Sequence, residues 1–157
     1  MAHADTTPRV DLRVLVVSEG GPATDAIGAE LAAAGTPYTE IDLTRSDRPV
    51  IDAGFLADTV DGRPRARYQA VVLPNDNPFP AGSPEMVALA AYEQTYGIPQ
   101  VDAYTYARPE AGLQYPTSGG HSGSVDGMQA EVTAAGKAGP FGYLDGAVPF
   151  EDNDPAV

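Results

Sequence analysis

The sequence predicts an α/β fold, an open, mostly parallel sheet with helices flanking it. Two observations carry this. An apolar strand, Val10-Asp11-Leu12-Arg13-Val14-Leu15-Val16-Val17, runs through Ser18-Glu19-Gly20-Gly21-Pro22 into a helix-period stretch that stops at Gly35-Thr36-Pro37. The same layout of strand, turn, helix and strand recurs between residues 68 and 106. Strand, glycine turn, helix and glycine stop open a β-α-β unit, which builds sheets covered by helices.

Each element has its own justification. Residues 1–9 read as a lead-in, and strand one spans 10–17. In the helix over 23–34, Ile27 and Leu31 lie four apart on one face and Asp25 favours the first turn. Gly35 suits the left-handed cap and Pro37 forbids continuation. A second strand covers 38–43. Residues 44–67 are rich in Arg, Asp, Pro and Gly, with an apolar island at Val50, Ile51, Phe55 and Leu56. Asp61-Gly62-Arg63-Pro64 predicts a turn, and both a short hairpin and a loop with one helical turn fit around it. Residues 68–73 form the next strand, ended by Pro74-Asn75-Asp76-Asn77-Pro78.

The second helix has a full start signal: Ser83 as N-cap, Pro84 at the first helical position and Glu85 in the first turn. Gly97 closes it, and 98–106 predicts a fourth strand. Beyond Arg108 the helical pattern is lost, with strand-like pieces at 129–133 and 147–150. The whole reads as a flavodoxin-like sheet in a single α/β domain over 10–150. Within it, 107–150 form an irregular, β-rich extension, and 151–157 a linker or cut end.

Composition removes several functions. The chain of 157 residues has no cysteine, which excludes disulfides, thiolate zinc sites and cysteine nucleophiles. A formal charge of −13 argues against nucleic acid and anionic membrane surfaces, which require clustered Lys and Arg. No apolar run approaches the roughly 20 residues of a membrane helix, and Met1-Ala2-His3-Ala4-Asp5 shows neither the basic nor the apolar region expected of a signal peptide. The reading expects no cofactor, no metal and no catalytic residue.

Open α/β sheets bind ligands beyond the carboxyl ends of their strands. The candidate ligand-binding residues placed there are Glu19, Asp42, Asn75, Asp76, Asn77, Phe79, Tyr104 and Tyr106. Rings that stack on sugar faces, together with amides and carboxylates that bond hydroxyls, suit a neutral or cationic sugar. The competing reading makes the same Asn and Asp residues turn formers that serve their own backbone. Glu19, Asp42, Asp76 and Asp102 also suggest oxygen ligands for Mg or Ca, though no calcium-loop spacing supports this. Ser18-Glu19-Gly20-Gly21 lacks the spacing of a dinucleotide turn, and Glu19 would repel an anion. Gly120-His121-Ser122-Gly123-Ser124 resembles a nucleophile elbow, but lacks the final glycine and the strand and helix around it. Tyr92 and Tyr96, one helical turn apart, predict a half-buried stripe.

One stretch goes beyond pattern. Leu89-Ala90-Ala91-Tyr92-Glu93-Gln94-Thr95-Tyr96-Gly97-Ile98-Pro99-Gln100-Val101, with Gly35-Thr36-Pro37-Tyr38 and Ala111-Gly112-Leu113, resembles the non-catalytic N-terminal region of Agd3-like polysaccharide deacetylases. Residues 141–150 fit the segment leading towards the deacetylase in such proteins. The resemblance implies a secreted, carbohydrate-binding-module-like domain whose partners are an amino-sugar polymer or an adjacent deacetylase domain. It carries no catalytic metal ligand onto this chain. The expected function is therefore a non-catalytic carbohydrate-binding or packing domain. A small serine hydrolase or esterase using Ser122 with His121, an amidotransferase-like relic, and a structural docking scaffold are the alternatives.

Overall fold

Val14, Leu15, Val16, Val17 and Ser18 are all buried, because the strand they form lies in the middle of a sheet with helices on both sides. In the computed structural model residues 7–105, 123–139 and 141–150 are described, and the chain divides into two compact units, 1–107 and 108–157. The first unit contains β1 (Arg9–Val10), β2 (Val14–Ser18), α1 (Pro22–Ala33), β3 (Tyr38–Asp42), α2 (Ala53–Leu56), β4 (Ala57–Val60), β5 (Arg63–Ala66), β6 (Ala70–Leu73), α3 (Pro84–Tyr96) and β7 (Gln100–Asp102). Its main sheet has the order β3-β2-β6-β7 and is parallel throughout.

Strand alternation divides the core between two faces. Val14, Val16 and Val72 point one way and meet Ile27 and Leu31 of α1, as the helical spacing predicts. Leu15, Val17, Val71 and Leu73 point the other way and meet Ile51, Leu56, Phe79, Leu89 and Tyr92. Each fully buried aliphatic contributes about 1.5–3 kcal/mol, so this second, larger face holds most of the apolar stabilisation.

Both long helices end as the sequence predicts. At α1, Gly35 takes φ +67 and donates to the Ala32 carbonyl, while Thr36 N–H reaches the Leu31 carbonyl at 2.9 Å. That is a Schellman cap. At α3, the Ser83 hydroxyl accepts from Met86 N–H, and Gly97 closes the helix in the left-handed region.

Three strands differ from expectation. The predicted strand 10–17 is two strands: Arg13 N–H bonds back to the Asp11 carbonyl at 2.8 Å and breaks it, so β1 joins a different sheet from β2. The predicted strand 68–73 begins only at Ala70, since Tyr68 finds its partners in a side chain of α3 and Gln69 N–H bonds the Arg13 carbonyl. Of the predicted strand 98–106, the described residues 98–105 form only β7, Gln100–Asp102, and residue 106 lies outside them. Both alternatives for 44–67 occur together. One helical turn, α2, runs into the β4–β5 hairpin, and Asp61 (φ +52) and Gly62 (φ +76) form its two-residue loop with both φ positive. β5 also pairs in parallel with β1.

In the second unit, β8 (Gln129–Glu131) and β9 (Ala147–Pro149) pair antiparallel, with α4 (Ala134–Ala138) between them. The sequence reading found the two strand-like pieces and missed the helical turn, which Thr133 caps by accepting Gly136 N–H.

Candidate functional site

The connection after β2 crosses to α1 on one face of the sheet, and the connection after β6 crosses to α3 on the other. Open α/β sheets take ligands in the crevice between the carboxyl ends of two such strands. Here the loops at those ends are Ser18-Glu19-Gly20 and Pro74-Asn75.

Ser18 is buried at 1% exposure. Its hydroxyl accepts Gly20 N–H at 3.0 Å and lies 3.0 Å from the Thr24 hydroxyl. Thr24 gives its one hydroxyl proton to the Gly21 carbonyl, so Ser18 is the donor to Thr24. The Ser18 hydroxyl is thereby occupied on both sides. Gly20 takes φ +75, a conformation for which glycine is suited. Its amide points at Ser18 rather than into the crevice.

Glu19 is exposed, and its Oε2 accepts from the Asn75 side-chain amide at 3.2 Å. The Asn75 carbonyl oxygen in turn accepts Asn77 N–H at 2.9 Å. One amide thus links the two loops and shapes the one after β6. Asp42 accepts from both the amide (2.8 Å) and the hydroxyl (2.6 Å) of Thr44, and these bonds hold its carboxyl below the usual range. Asp42 also lines an open cleft of about 520 Å³ with Arg45, Asp47 and Arg48. Arg45 grips Asp47 through two hydrogen bonds, and Arg48 grips Glu85 through two at 2.6 and 2.9 Å. Glu85 accepts Ile51 N–H as well, at 3.0 Å, which ties the loop before α2 to the first turn of α3.

Of the eight predicted site residues, the structure joins Glu19, Asn75 and Asn77 in one network. Asp42 sits at the end of the neighbouring strand, engaged in its own turn. Asp76 is half-buried and makes contacts of its own. Phe79 is a correction: it is 6% exposed, packed in the core with the Arg48 guanidinium 5.4 Å above its ring centre, so it offers no face to a sugar. Tyr104 is 54% exposed, beyond the end of β7. Tyr106 lies outside the described residues, as do His121 and Ser122. Tyr92 is buried and Tyr96 half-buried, with ring centres 5.3 Å apart, so this pair packs inward.

The acids do not converge. Asp102 accepts from Gln100 at 2.6 Å, and among the described residues no group of three or more metal-ligating side chains gathers. No helix among them is long and apolar enough to cross a membrane. Sequence reasoning passed over the arginines of β5. Arg63-Pro64-Arg65-Ala66-Arg67 alternates at the period of a strand, and that alternation was the available signal. No protein-family model, no curated protein and no solved structure matches the chain.

Proposed function

We propose that this chain is a non-catalytic, carbohydrate-binding domain of a secreted polysaccharide-modifying enzyme, of the deacetylase kind that residues 89–101 and 141–150 resemble. The observation that carries the reading is the Glu19–Asn75 hydrogen bond across the crevice between β2 and β6. A carboxylate and an amide held side by side offer acceptors for a sugar ammonium or hydroxyl and a donor for a ring or glycosidic oxygen. Tyr104, exposed beyond β7 at the same end of the sheet, supplies an aromatic face. The strand order β3-β2-β6-β7 is read as the 2-1-3-4 core of a flavodoxin-like sheet, a reading that supports a ligand position between the ends of β2 and β6. The Ser18 hydroxyl at the end of β2 is engaged by Gly20 and Thr24, which favours holding a ligand over attacking one.

Titration of the full chain with partly deacetylated amino-sugar oligomers, followed by amide NMR shifts, tests the reading. Saturable shifts at residues 18–21 and 75–77 are expected, with affinity about tenfold lower in Asn75→Ala. A flat response at about 10 mM sugar would leave only a packing role.

A further inference from the structure

We propose that the cleft between β1 and the β4–β5 turn binds a small oxyanion, a carboxylate, phosphate or sulfate on a ligand no larger than about one sugar ring. The cleft has a volume of about 540 Å³, within the range of small-molecule sites. Arg9, Arg63 and Arg65 line it with Asp61, while Asp58 and Asp11, outside the lining, flank Arg65 at 2.6 and 3.4 Å. The cleft lies at the starts of β1 and β5, before these strands lead on to β2 and β6, whereas Glu19 and Asn75 follow the ends of β2 and β6.

The strands build this cluster. Alternation puts Arg63 and Arg65 on one face of β5 and buries Ala66 on the other. Parallel register sets Arg9 of β1 directly opposite Arg65, and antiparallel register sets Asp58 of β4 on its other side. Asp58 fixes Arg65 through two hydrogen bonds, 2.8 and 2.6 Å, so Arg65 is a rigid wall. Arg9 differs. Its side chain is 66% exposed and meets Asp11 at 3.4 Å, longer than an ordinary hydrogen bond. An incoming oxyanion therefore competes with a weak ion pair.

A planar guanidinium fork fits a carboxylate, phosphate or sulfate edge with two parallel bonds. Arg9 and Arg63 line the cleft beside the fixed Arg65 on a chain whose formal charge is −13. The rest of the surface repels a long polyanion, while the cleft attracts a small one. The ligand class is thus a small anion and not a nucleic acid.

The test is an amide NMR titration of the full chain with glucuronate, inorganic phosphate and inorganic sulfate, separately, at constant low ionic strength, with glucose as the neutral control. Saturable shifts at Arg9 and at residues 60–63 are expected with at least one anion and none with glucose. Glucuronate alone would identify a sugar acid, and phosphate or sulfate a mineral or ester anion. Arg9→Ala and Arg63→Ala should each weaken binding at least about fivefold, and salt of about 0.3 M should weaken it further. Arg9, on an exposed edge, carries the test if Arg63→Ala perturbs the hairpin. Glu19→Gln should leave anion binding unchanged, which keeps this site separate from the sugar reading. No shift with any anion up to about 10 mM, or shifts that persist in the Arg9→Ala, Arg63→Ala double variant, would overturn the proposal.

Discussion

The Tyr92 hydroxyl satisfies both backbone hydrogen-bonding groups of Tyr68: it donates to the Tyr68 carbonyl and accepts Tyr68 N–H at 2.9 Å. Tyr68 stands between the β4–β5 hairpin and β6, and a side chain of α3 takes the place of a neighbouring strand. Tyr92→Phe keeps the buried ring and leaves a buried N–H and C=O without partners. Each such group costs about 1–3 kcal/mol. Urea unfolding of Tyr92→Phe should show a loss of about 2–4 kcal/mol with an unchanged denaturant slope. A loss below about 0.5 kcal/mol would mean that the hydroxyl does not hold this junction.

The same pair makes stability fall in alkali. Burial pushes the Tyr92 phenol up to about 12, from an ordinary value of 10.0, and also raises Tyr68. The folded state holds its phenol protons after the unfolded state has begun to lose them. The contribution is complete below pH 10 and disappears as pH rises towards 12. Wild-type unfolding free energy should decline across that window, and less steeply in Tyr92→Phe. Equal slopes for the two proteins would count against the assignment to Tyr92.

On the acid side the corresponding group is Asp58. Its hydrogen bonds to Arg65 hold the carboxyl down to about 2, with Arg67 helping and burial opposing. A carboxyl lowered on folding stabilises the native state above its ordinary value of 3.8 and ceases to do so as pH falls towards 2. Asp58→Asn should flatten the acid limb of the stability profile between those values. An unchanged acid limb would show that the Arg65 pairing is as screened as an ordinary surface ion pair.

How much of this was legible depended on whether neighbours in sequence decided the matter. Ser83, Pro84, Glu85 and Gly97 are local signals, and α3 lies where they put it. Ile27 and Leu31 marked the buried face of α1 by spacing alone. The break at Asp11–Arg13 was invisible, because the apolar alternation of Val10, Leu12 and Val14 runs straight through it and only pairing with a distant β5 separates the two strands. The start of β6 was hidden for the same reason, since Tyr92 lies 24 positions from Tyr68. At the candidate site, Asn75 was expected either to bind a ligand or to make a turn. The structure uses one end of its amide for the turn and presents the other to Glu19. Phe79 was read as a rim ring because it follows β6, and tertiary packing under Arg48 overrode that placement.

Glu93 on α3 tests whether a strained charge is tolerated away from these sites. Its Oε1 is buried without a hydrogen-bond partner, and burial, then the charge of Asp102, pushes its carboxyl above the ordinary 4.5. Ionisation is thus harder in the folded chain than in the unfolded one, so the native state gains stability as pH falls through this raised value and has the full gain below 4.5. Glu93→Gln removes the charge with little change of shape. It should raise unfolding free energy by about 0.5–1 kcal/mol at neutral pH and give no gain below 4.5. A gain that is the same at both pH values would point to packing rather than charge.

The sugar reading separates into a charge and a hydrogen-bonding part, and Glu19→Gln divides them. The glutamine side-chain carbonyl accepts from Asn75 as the carboxylate does, so the bridge of 3.2 Å across the crevice is kept. What is lost is the negative charge. A fully acetylated oligomer, which carries only neutral groups, should bind the variant within about twofold of the wild type. A deacetylated oligomer, whose ammonium pairs with the carboxylate, should lose about fivefold to tenfold. Asn75→Ala breaks the bridge itself and should weaken both oligomers alike. If Glu19→Gln weakens the two equally, the carboxylate orders the loop without meeting the ligand, and the ammonium is recognised elsewhere on the chain.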